Sequence, residues 1–177
     1  ELSQRHDQVV ALREAVLAYL QQVGRAELSD DASDEHARLV AATGEIENMS
    51  AAVSRELLPL ARALKDADIT PSPETAALLE RLFRAIQASA HQALRALVMS
   101  DERAAQAVVA SRDMILELTS ELHRQQAARL ARDDPDRLLK HRVQFEMLDK
   151  LRRIYSVAEH MAISVLPRSV LVGELSV

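Results

Sequence analysis

Apolar residues between Leu139 and Val165 recur in steps of four and three: Leu139, Val143, Met147, Leu151, Ile154, Ala158, Met161 and Val165. That spacing keeps one face of a long α-helix apolar and does not match the two-residue alternation of a half-buried strand. A helix of this kind needs neighbours of similar length to cover its face, and a step so close to seven residues sets them at shallow angles. The rest of the sequence supplies them. A first helix is expected over about 3–22, with Val9, Leu12, Val16, Leu20 and Val23 inward and Gly24 as its stop. A second is expected over about 34–66, facing inward with Leu39, Ile46, Met49, Val53, Leu57, Leu60 and Leu64. Ser29, Asp30, Asp31 and Ser33 are its candidate caps. Pro59, inside it, removes a backbone donor and is expected to kink or break it. Residues 68–73 form a linker in which Ser72 caps and Pro73 opens a third helix reaching Met99. Ser100 is expected to cap a fourth helix running to about Arg132. Asp134 and Pro135 are expected to open the fifth, which Pro167 ends. The fold class is therefore all-α, an antiparallel bundle of five helices.

Composition agrees and closes off several functions. Three glycines and five prolines in 177 residues leave few breaks. Aromatic residues make up 2% and the net charge is −5, so neither base stacking nor phosphate-backbone binding is expected, and no nucleic-acid partner. The chain has no cysteine, which rules out disulfides and thiolate chemistry and fits a cytoplasmic setting. No apolar run approaches the ~18–20 residues that span a bilayer. There is no Gly-rich phosphate loop, positioned nucleophile or HExxH pair, so no enzyme is expected. His6, His36, His91, His123 and His141 are scattered without helical pairing. They leave open a histidine-phosphotransfer bundle, with His91 or His123 as carrier.

The sequence also repeats itself. Setting Ile46 against Ile154 places Glu47 on Tyr155, Met49 on Val157, Val53 on Met161, and Leu58-Pro59 on Leu166-Pro167. The preceding helices align in a slightly different register, Asp7, Val9, Val10 and Leu12 falling on Asp113, Ile115, Leu116 and Leu118. Residues 71–167 then form a repeat of three helices and residues 1–70 a repeat of two, with 168–177 as a tail. A helix is expected before Glu1, and the chain is expected to be a fragment of a longer protein.

This arrangement resembles the PhoU family, built from two tandem three-helix repeats. The family's Glu-Arg-Ile-Gly-Asp motif sits on the third helix of each. Here the first copy reads Glu47-Asn48-Met49-Ser50-Ala51 and the second Tyr155-Ser156-Val157-Ala158-Glu159-His160. The stretches GEIENMS and LRRIYSVAEHMA are most similar to the cytoplasmic C-terminal domain of bacterial sodium/phosphate cotransporters. The resemblance implies a non-enzymatic regulatory or interaction domain in phosphate transport. It would sit at the cytoplasmic face of the inner membrane, with a membrane transporter domain in the same polypeptide as its partner. Other phosphate-signalling proteins or a second copy are further partners, and a stand-alone PhoU-type regulator is the alternative. Intact family motifs hold metal clusters through carboxylates four residues apart, which share one helix face. This chain keeps half of each pair, since Ala51 and Tyr155 stand where an acid is expected. Glu47, Glu159 and His160 are the metal-motif positions that remain, and no cofactor is expected.

Overall fold

Side-chain caps open three of the helices, at Ser29, Ser72 and Asp101. The computed structural model describes residues 1–130 and 137–167, and every element in them is helical. Helix α1 is Leu2–Val23 and α2 is Asp30–Ala51, opened by Ser29, whose hydroxyl accepts from the Ala32 N–H. The second helix thus starts four residues before the expected Asp34, because Ser29 is the first of the capping candidates to take the extended backbone a cap requires. It does not run through to Asp66 as one α-helix. A π-helical turn, Ala52–Leu57, intervenes, and α3 (Leu58–Asp66) follows with Pro59 in its first turn. Pro59 has no N–H to return to the turn before it, so the break falls where the regular ladder would lose a bond.

Ser72 caps α4 (Pro73–Met99), with Pro73 in the first turn as expected. Ser100 is not the cap of the next helix. It takes a left-handed conformation (φ 50°, ψ 39°) that ends α4, and Asp101 caps α5 (Glu102–Ala110) by accepting from the Ala104 N–H at 3.1 Å. That bond, with Arg95 2.9 Å away, holds the Asp101 carboxyl below its ordinary pKa. The expected fourth helix is also divided, into α5 and α6 (Arg112–Leu130). At the break the Ser111 N–H and hydroxyl both turn to the Val108 carbonyl, at 3.1 and 2.7 Å. This local bonding competes with the helical ladder. Helix α7 is Arg137–Ile163. The expected joint at 133–136 and the tail at 168–177 lie outside the described residues.

The chain forms two compact units, Glu1–Glu56 and one beginning at Leu57. They part within the π-helical turn, ahead of the 68–73 linker, because α3 packs against α7 rather than with α2. In the first unit α1 and α2 form an antiparallel hairpin, His6 meeting Ser50, Arg13 meeting Glu47, and His36 meeting the Leu20 carbonyl. Gly24 follows α1 without a left-handed turn (φ −67°), so its role is space. A Cβ there would lie 3.0 Å from His36 Nε2. The stripe His6, Arg13, Leu20 faces α2, and Leu12, expected inside, is 66% exposed.

In the second unit α4, the α5–α6 pair and α7 run up, down and up. Ser89–Ser111 and Thr75–Gln125 bonds tie α4 to its antiparallel neighbour, and Arg112–Glu159 ties α6 to α7. Leu82, Val108, Ile115, Leu122 and Leu148 are fully buried at its centre. No helix among the described residues is long and apolar enough to cross a membrane.

Candidate functional site

A polar cluster of the second unit forms where α5 breaks and α7 passes it. Losing the ladder at Ser111 leaves the Val108 carbonyl to be satisfied locally. Besides both Ser111 groups, it is reached by the Tyr155 hydroxyl from α7 at 3.0 Å. A carbonyl has two lone pairs, and each hydroxyl has a second acceptor at hand. The Ser111 hydroxyl also lies 3.0 Å from that of Ser89, which donates to the Ala85 carbonyl. The Tyr155 hydroxyl lies 3.0 Å from Glu159 Oε1, and the same oxygen accepts from Arg112 Nε at 2.8 Å. Burial pushes the Tyr155 pKa up to about 12, Ser111 bonding pulling it back and the Glu159 carboxylate pushing further. A phenol so placed is a hydrogen-bond donor at neutral pH rather than a base.

The three metal-motif positions are not brought together. Glu159 is engaged by Arg112 and Tyr155, while His160, the next residue, is exposed. Glu47 lies in the other unit, 2.8 Å from Arg13 Nε, close enough to pair in charge but without an aligned N–H···O bond. Each carboxylate thus faces an arginine of the neighbouring helix. Among the described residues no three histidine or carboxylate side chains gather as a metal ion would require.

His6 is buried, with Nδ1 3.0 Å from Ser50 Oγ. That distance is the spacing of a nucleophile and its base, but among the described residues His6 Nε2 has no partner to orient the ring, and Ser50 lies within α2. The pair is a helix-to-helix tie. Of the two candidate phosphate carriers, His123 packs against the Phe145 ring, centroids 5.5 Å apart, whereas His91 is exposed on α4.

The second unit also carries an apolar groove between α3, α4 and α7. It has a volume of about 340 Å³ and is lined by Leu57, Ala61, Leu79, Phe83, Met147 and Leu151, with Glu80 at its edge. Phe83 is 53% exposed there. Motif reasoning missed the arginines that face the two acids. A sequence signal for the polar cluster is Ser111, which stands at helical spacing between Val108 and Ile115. Comparisons with protein families, with curated proteins and with solved structures find no match.

Proposed function

We propose that this chain is a non-enzymatic, PhoU-like regulatory domain of a sodium-dependent phosphate cotransporter, acting by contact at the cytoplasmic face of the inner membrane. The observation that carries the reading is a matched tie in the two helix pairs α1–α2 and α6–α7. In the register that sets Asp7 against Asp113, His6 falls on Arg112. In the register that sets Ile46 against Ile154, Ser50 falls one residue before Glu159. His6–Ser50 and Arg112–Glu159 therefore join corresponding levels of the two pairs. Packing polarity supports the same reading, since both pairs are antiparallel.

A contact-based role follows from where the chemistry is engaged. Glu47 and Glu159 face arginines, the Ser111–Tyr155 cluster satisfies itself, and a large apolar groove is left on the surface. The domain would report on, or restrain, the transporter through such a face. The test is co-purification with the membrane part of the transporter encoded in the same reading frame, followed by sodium-dependent phosphate uptake. Deleting the domain changes uptake, and Phe83→Glu, a change at an exposed position, weakens capture of the membrane part. A reading frame that instead opens one helix upstream, with no membrane-spanning sequence, overturns the cotransporter assignment in favour of a stand-alone regulator.

A further inference from the structure

Gln126 is 6% exposed, and its side-chain Oε1 has no hydrogen-bond donor among the described residues. A buried amide oxygen without a donor is uncommon in folded proteins and points to a bound partner. The residue lines a small, partly open hollow of about 20 Å³ bordered by α3, the α3–α4 connection and helices α4, α6 and α7. Leu64, Ile69, Pro71, Leu79, Leu122 and Met147 make most of its wall apolar. The remaining lining residues are polar, Thr75 and Gln144.

We propose that this hollow is a binding site for one structural water that joins Gln126 to Thr75 and Gln144. Size decides the ligand class. A single water occupies ~10–15 Å³ of cavity volume measured in this way, so the hollow takes one and excludes organic ligands. Charge points the same way, because no ionisable side chain lines the hollow and a bare ion there would be unneutralised.

The hydrogen-bond roles also fit. Thr75 Oγ1 donates to Gln125 Oε1 at 3.0 Å and lies 3.2 Å from the Ser72 hydroxyl, which leaves it a lone pair and no proton to give. Gln144 has both a donor and an acceptor. The occupant must donate to Gln126 and Thr75 and accept from Gln144, a set of three bonds ordinary for interior water. Turning the Gln126 amide over would present Nε2 instead of Oε1, and water, both donor and acceptor, meets either. The site lies beside the Ser72 cap, so the water would hold the start of α4 to α6 and α7.

A high-resolution crystal structure of the intact chain tests this directly. The expected result is an ordered water within hydrogen-bond distance of the Gln126 amide and of Thr75 or Gln144. Water-oxygen magnetic relaxation dispersion provides an independent measurement, in which Gln126→Leu loses the contribution of one long-lived interior water relative to the parent. A crystal structure showing the Gln126 oxygen bonded to a protein donor overturns the proposal. So does a relaxation profile unchanged in a folded Gln126→Leu variant. Should that variant not fold, the parent crystal structure decides alone.

Discussion

Tyr155 and Glu159, one turn apart on α7, meet at 3.0 Å, and the same phenol stands 3.0 Å from the Val108 carbonyl. One proton serves two acceptors, each of which has other donors. Tyr155→Phe is therefore expected to cost only about 1 kcal/mol, the usual net value of one hydrogen bond. Urea unfolding should show a lower midpoint with an unchanged slope. Combined with Glu159→Ala, which removes the acceptor, the loss should be smaller than the sum of the two single losses, because both changes remove the same contact.

The phenol's ionisation gives a second prediction. Its pKa in the fold is pushed up to about 12 from an ordinary 10.0, chiefly by burial. The neutral form is the one the fold favours, so the contribution to stability is fully present below pH 10. It is lost as pH climbs from there through about 12. Near-ultraviolet titration of the native protein should show a tyrosine ionising in that upper range, absent in Tyr155→Phe.

Buried and exposed leucines should respond differently to removal of their side chains. Leu148 is 0% exposed, and Leu148→Ala should cost ~2–5 kcal/mol, combining lost transfer energy with the cavity left behind. Leu12 is 66% exposed, and Leu12→Ala should stay within about 0.5 kcal/mol of the parent. Parallel denaturation curves check both.

Metal content is the fourth prediction. Arg13 and Arg112 already face the two motif carboxylates, so a cation would have to displace an arginine to gain a single acid ligand. Chelator-washed protein should therefore carry no stoichiometric iron or zinc by elemental analysis.

How far the sequence could be read differed between the units for a physical reason. In α4 and α7 the apolar spacing singles out one face: Leu82, Ile86, Ala93 and Leu97 are buried on α4, and Leu151, Ile154 and Met161 on α7, the last three as expected. In α1 the apolar residues occupy two adjoining stripes that share Leu20. The stripe that packs includes His6 and Arg13, polar side chains that a count of apolar spacing rejects and that only partners on α2 make favourable. The helix breaks were half legible. Pro59 announced one, while the division at Ser111 depends on the Val108 carbonyl and on a tyrosine 47 residues later in the chain. The Gln126 hollow was not legible, because an interior polar group is recognised by what fails to reach it.

The thin interior of the α1–α2 hairpin also sets a timescale. His6, Leu20, Ala42 and Ala52 are the buried residues of its unit, whereas the second unit buries an aliphatic centre along α4 and from Val143 to Ala162 of α7. Opening free energy follows such burial, so backbone amides of residues 2–51 should exchange with deuterated solvent well before those around Leu82 and Leu148. The hairpin would then be the part of the chain that loosens and reforms many times between global unfolding events.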